Sequence, residues 1–152
     1  MSNQPPYGGP QGYQGGGYPP PGGPTGKTKV MNLDYNVAGL LCYLPICCIN
    51  LVFSIIWLAS EPKENRILRF HALQSLLLIG VAFVIGIVFW FLTIAVAVTP
   101  GPGGTAGFGI LNLIQWVIGL AFFGISVFGC IKAYQGEMWK LPIIGDIAEK
   151  NA

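Results

Sequence analysis

The chain has 152 residues, 53% of them hydrophobic and only 9% charged, with a formal net charge of +2. A soluble domain of this size leaves a large share of its surface in water and has no way to hide so much uncharged apolar chain. The small positive excess, with no Lys/Arg block interleaved with aromatics, argues against a nucleic-acid partner.

Residues 1 to 26, "MSNQPPYGGPQGYQGGGYPPPGGPTG", are rich in Gly and Pro and carry no charge. Such a stretch buries too little apolar surface to offset its ordering entropy, so residues 1 to 32 are expected to form a disordered tail. Tyr7, Tyr13 and Tyr18 punctuate it at near-regular spacing, a pattern compatible with an inert tether or with weak self-association.

Beyond the tail the charges are clustered. None lies between Asp34 and Glu61, and none between Arg69 and Lys132. Residues 35 to 131 are therefore read as dissolved in lipid, and the expected fold is an all-α integral membrane protein with about three transmembrane helices. The start shows no basic region followed by a short apolar core, so no cleavable signal is expected and the first apolar stretch serves as its own anchor.

The first apolar stretch runs from about residue 33 to 60. It has room for one tilted crossing, which needs about 20 residues, but Pro45 interrupts it at "CYLPICCIN". Proline removes a backbone donor and clashes with the preceding turn. Two geometries follow: one kinked span, or a re-entrant hairpin that enters and leaves by the same face. Asn50 is placed to satisfy backbone groups freed at the break. The charged turn "EPKENR" (61–66) leads into a second span over about 67 to 98. "TPGPGGTA" (99–106) is a loop signal, and a third span follows over about 108 to 133. Gly136 suits a helix terminus. Residues 136 to 152 are expected to lie at the interface, with Ile143, Ile144, Ile147 and Ala148 on an apolar face and Asp146, Glu149 and Lys150 in water.

With three crossings, Lys63, Arg66, Arg69, Lys132, Lys140 and Lys150 share one face and Lys27 and Lys29 the other; with a hairpin, all eight basic residues share one face. Both counts put the C-terminus in the cytoplasm under the positive-inside rule. Arg66, Arg69, Trp139 and Lys140 are read as interfacial anchors, whose long stems lie on lipid while the charge stays wet.

Two polar stripes stand out within the spans. His71, Gln74, Ser75 and Leu78 share a helix face at i, i+3, i+4 and i+7, and polar side chains on membrane helices turn toward other helices. Asn50 or the Tyr134–Gln135 end are the expected contacts. Asn112, Gln115, Gly119 and Ser126 form the second stripe, and Ala82 and Gly86 a small-residue pair. Packing within one monomer and a homo-oligomer both fit these stripes.

No catalytic, cofactor or metal site is expected. The cysteines Cys42, Cys47, Cys48 and Cys130 form no C-x-x-C pair and read as small packing residues. His71 has no acid at membrane depth, and no Ser–Lys pair, paired acids or H-E-x-x-H motif appears in the spans.

At "NVAGLLCYLP", "RFHALQSLLL" and "GEMWKLPIIGDIAEK" the chain resembles the MamF/MmsF family of small membrane proteins, distantly related to the small polytopic subunit of the chloroplast Tic import complex. The resemblance covers about residues 33 to 150. It implies three predicted spans in the bacterial membrane and no known enzymatic activity. The magnetosome members carry an acidic segment between the last two spans, where this chain has "TPGPGGTA" with neither Asp nor Glu. The expected function is thus a non-enzymatic scaffolding or interaction role in the cytoplasmic membrane, with the lipid bilayer and a homo-oligomer or other membrane proteins as partners. The alternative is a component of a transport or translocation channel built as an oligomer.

Overall fold

The computed structural model describes residues 26–46 and 48–152; the tail's tyrosines and Cys47 lie outside these. Five helices follow in order: α1 (Tyr35–Tyr43), α2 (Ile49–Ser60), α3 (Arg66–Ala97), α4 (Pro102–Tyr134) and α5 (Ile144–Asn151). The fold is all-helical, as composition implied. α3 and α4, with 32 and 33 residues, are the two helices long and apolar enough to cross a membrane.

The break at Pro45 decides the first apolar stretch. α1 has 9 residues and α2 has 12, so at 1.5 Å per residue they are about 14 and 18 Å long, short of a crossing. They fold back on each other. The Trp57 indole donates from Nε1 to the Ala38 carbonyl at 3.1 Å. The Lys29 backbone N–H, ahead of α1, reaches the Glu61 carboxylate at the far end of α2 at 2.8 Å. Entry and exit therefore lie side by side, and the stretch is the re-entrant hairpin, not a kinked third span.

The end of the expected tail is also folded. Lys27 pairs with Asp34 in an isolated antiparallel bridge, closed by Thr28 N–H to the Leu33 carbonyl at 2.8 Å. Met31 and Asn32, both at positive φ, make the tight turn that such a pairing needs.

α3 and α4 pack against each other in antiparallel fashion, joined by the turn around Gly101. Pro102 opens α4 at the first helical position, where its missing N–H is no loss; this is why the helix starts earlier than residue 108. At the other end, Gly136 (φ 72) donates to the Ala133 carbonyl and Glu137 to the Lys132 carbonyl, each at 3.0 Å. These two bonds make a Schellman stop, which turns the chain back so that α5 packs on α3.

All the charged residues consequently gather at one end of the molecule: ahead of α1, from Glu61 through the first turn of α3, and from Lys132 onward. There the hairpin, the start of α3, the end of α4 and the C-terminal segment enclose a core of Ala38, Cys42, Tyr43, Trp57, Leu68, Ala72 and Ala133. Farther along, α3 and α4 continue as a bare pair, with Phe83, Val84, Trp90, Phe91, Leu113, Trp116, Val117 and Leu120 all exposed. That apolar surface is the face a bilayer covers.

Candidate functional site

The described residues hold one buried polar cluster of note, and α3 supplies its centre. His71, Gln74 and Ser75 lie on one face and are all buried. The Gln74 amide is the pivot. Its Nε2 donates to the Tyr43 hydroxyl at 3.0 Å and to the Trp139 carbonyl at 3.1 Å. Its Oε1 accepts from the Leu141 backbone N–H at 3.3 Å. One side chain thus joins α1 to the C-terminal segment and pairs with the backbone of residues 139 and 141 much as a neighbouring strand would. Gly145 makes this approach feasible: a Cβ there would lie 2.7 Å from the Lys140 Cβ and 3.0 Å from the Gln74 Oε1.

Ser75 donates its hydroxyl to the Cys42 carbonyl. Cys130 on α4 points its thiol at the Leu40 carbonyl, 3.5 Å away. The Cys42 carbonyl belongs to the last turn of α1, where the helix ends before Pro45 and the Ile46 N–H goes to Leu44 instead. A bare carbonyl in hydrocarbon costs several kcal/mol, and the Ser75 hydroxyl removes that cost at the break. On the α2 side, Asn50 Oδ1 accepts the Leu51 N–H at 2.9 Å.

The His71 Nδ1 lies 3.4 Å from the Tyr43 hydroxyl. That hydroxyl already accepts from Gln74, so its own proton is free to go to Nδ1, which puts the imidazole proton on Nε2. The ring also meets the Glu137 backbone, in the segment after Gly136. The ring meets Tyr43 and Phe70 edge-on, with centroids 5.7 and 5.2 Å apart. The partners of this stripe are therefore Cys42, Tyr43 and the segment 137–141, rather than Asn50 or the Tyr134–Gln135 end.

The four anchor residues are less alike than their composition suggests. Arg66 is exposed. Arg69 turns inward: its Nη1 donates to the carbonyls of Leu58 and Glu61 at 2.9 and 3.1 Å, capping the end of α2 with a positive charge, where the helix dipole favours one. Trp139 stacks edge-on against Phe128 at 4.7 Å. Lys140 pairs with Glu149 at 2.6 Å and reaches Asp146 at 4.0 Å; its hydrogen bond holds the exposed Glu149 carboxyl below the usual carboxylate range.

The second stripe behaves differently. Gln115 and Gly119 are exposed and Asn112 is half-buried. Asn112 bonds only back to the Phe108 carbonyl of its own helix, at 2.9 Å, and Ser126 likewise to the Phe122 carbonyl at 2.9 Å. A Cβ at Gly119 or at Gly86 would meet nothing within 4 Å. Asn112, Gln115 and Gly119 face outward, beside Trp116, Leu120 and Phe123, whereas the half-buried Ser126 lies in the crevice at the hairpin tip.

Three residues of the charged end escaped the sequence pattern: Tyr43, Trp57 and Glu61. Glu61 is buried, bonded to Lys29 N–H and to the Asn65 amide at 3.0 Å. Its one sequence signal is its place as the first charge after the apolar stretch.

The family model for the magnetosome magnetite crystal formation proteins, MamF/MmsF, matches residues 31–148. The chain belongs to the MamF/MmsF family. The match takes in the hairpin, both long helices and the polar cluster, so two of the three motifs that carried the resemblance, around Gln74 and around Leu141, are the two halves of a single contact. Archaeal relatives are named UPF0132 membrane proteins. One from Methanocaldococcus jannaschii is 36% identical over 126 residues, covering 82% of this chain and 94% of that protein. A second from the same organism is 33% identical over 126 residues, 82% of this chain and 74% of that protein. One from Archaeoglobus fulgidus is 37% identical over 117 residues, 76% and 93% of the two chains. No solved structure matches. With its exposed apolar helices, the chain is an integral membrane protein of this family.

Proposed function

We infer that the protein is a non-enzymatic scaffold of the cytoplasmic membrane that acts by associating with other membrane helices, a second copy of itself first among them. The observation that carries this is the outward Asn112–Gln115 pair on α4. Lipid offers an amide no hydrogen-bond partner, and an interhelical amide contact contributes roughly 1 kcal/mol. A carboxamide is both donor and acceptor, so an identical helix related by a two-fold axis satisfies it.

The buried polar groups support the non-enzymatic half of the reading. Gln74 and Ser75 are committed to backbone groups, which is structural work, not preparation of a reactive group. The charge distribution supports the orientation: all eight basic residues belong to the end from which both termini emerge, which the positive-inside rule assigns to the cytoplasm. Magnetite formation, in the family's name, is not carried to this chain, because Thr99–Thr105 has no carboxylate and every acidic residue lies at the opposite end.

Cysteine crosslinking in native membranes tests the reading. Gln115→Cys should give a covalent dimer, whereas Phe83→Cys on α3 should not. Recovery of the Gln115→Cys protein only as a monomer, with no partner attached, would overturn it.

A further inference from the structure

The taper of the molecule suggests an activity that is separate from self-association. The hairpin mouth is at Lys29 and Glu61, next to the start of α3. Its tip, at Pro45 and Asn50, shares a crevice with Leu78, Ile79 and Ala82 of α3 and Phe122, Phe123 and Ser126 of α4. Ala82 is sixteen residues, about 24 Å, along a helix about 48 Å long. α1 and α2 therefore reach no farther than about half of α3, and their lengths of about 14 and 18 Å match one leaflet of a hydrocarbon core about 30 Å thick.

The outer side of the hairpin is apolar: Val37, Ile46, Val52 and Ile55 are exposed. Its break is made compatible with lipid by Ser75 and Asn50. Four helices thus occupy the leaflet at the charged end, and two occupy the other. At a diameter of about 10 Å each helix takes roughly 80 Å² of membrane area, so the protein's cross-section in one leaflet is about twice that in the other. α5 adds to the same side, with Ile143 and Ile147 exposed toward the headgroup level, and helices lying at that level respond to curvature.

We propose that the protein is a membrane wedge: the α1–α2 hairpin widens only the leaflet at the charged end, so the chain concentrates where that leaflet is convex. A tapered body in a flat bilayer compresses the lipids around its wide end and leaves those at its narrow end to spread. Bending toward the charged end relieves both. The partner is the lipid surface itself, and a single copy suffices.

The test uses the full-length chain, labelled with a fluorophore and reconstituted at low density in giant vesicles of phosphatidylcholine and phosphatidylglycerol, from which thin tubes are drawn. Orientation is scored by quenching with a membrane-impermeant reagent, the label being attached at residue 152. With the charged end outside, the density ratio of tube to vesicle should exceed one and rise as the tube narrows. With the charged end inside, the ratio should fall below one. Gln115→Leu, which removes an amide of the self-association face, should sort like the parent, so loss of self-association and loss of sorting are separate outcomes. A ratio of one at every radius, or the same sign of sorting in both orientations, would overturn the proposal.

Discussion

The two halves of α3 and α4 are built from similar oily sequence and do different things. In the charged half, polar side chains point inward and are bonded to other elements: Gln74 to Tyr43 and residues 139–141, Ser75 to Cys42, Arg69 to the end of α2. In the far half, Asn112 bonds to its own helix and Gln115 is exposed. The helical spacing is alike in both stripes. What differs is whether a broken backbone stands nearby. Where Pro45 and the Gly136 turn leave carbonyls and N–H groups without partners, side chains are drawn in to meet them; along the unbroken helices nothing draws them in.

Substitutions in the two halves should therefore have unequal effects. Gln74→Leu should be the most damaging, since it strands the Leu141 N–H and the Trp139 carbonyl, at about 1–3 kcal/mol for each buried group left unpaired, and leaves the Tyr43 hydroxyl with His71 alone. Limited proteolysis in detergent should show the segment after Gly136 released well before the helical core is cut; protection equal to the parent would mean that Gln74 does not hold this segment. Ser75→Ala should lower unfolding stability by about 1–2 kcal/mol through the Cys42 carbonyl, whereas Asn112→Ala, which removes a bond within its own helix, should be near neutral for the monomer. Equal losses for the two would erase the contrast. Gln115→Leu should leave the stability of the monomer within about 0.5 kcal/mol, as outward substitutions do, while weakening the crosslinked dimer.

The smallest effect concerns pH. Glu149 has its folded-state pKa depressed by Lys140, so the contact is present above the ordinary carboxylate pKa and is lost as pH falls through the lowered value. Hydrogen exchange in α5 should quicken slightly on acidification in that range, and Glu149→Gln should remove this dependence.

Much of the fold was legible because charge marks the water boundary. The charge-free run from residue 70 to 131 located two long helices, Gly136 marked the end of one, and the spacing of His71, Gln74 and Ser75 gave an inward face. Pro45 told where the first stretch breaks. It did not tell which way the chain continues, because a proline acts on its own turn and the fold-back is fixed by partners far away in sequence, Lys29 with Glu61 and Ala38 with Trp57. The same distance hid the role of Gln74, whose partners lie at Tyr43, Trp139 and Leu141. Arg69 looked like a lipid anchor because its target, the end of α2, exists only once the hairpin has formed.

Sidedness labelling tests the hairpin most directly. Single cysteines at Lys29→Cys, Gly103→Cys and Ala152→Cys are reacted with a membrane-impermeant maleimide in intact cells and in inverted vesicles, against the labelling of the parent chain. Residues 29 and 152 should react from one and the same side and residue 103 from the other. Labelling of residues 29 and 152 from opposite sides would restore a third crossing and contradict the hairpin.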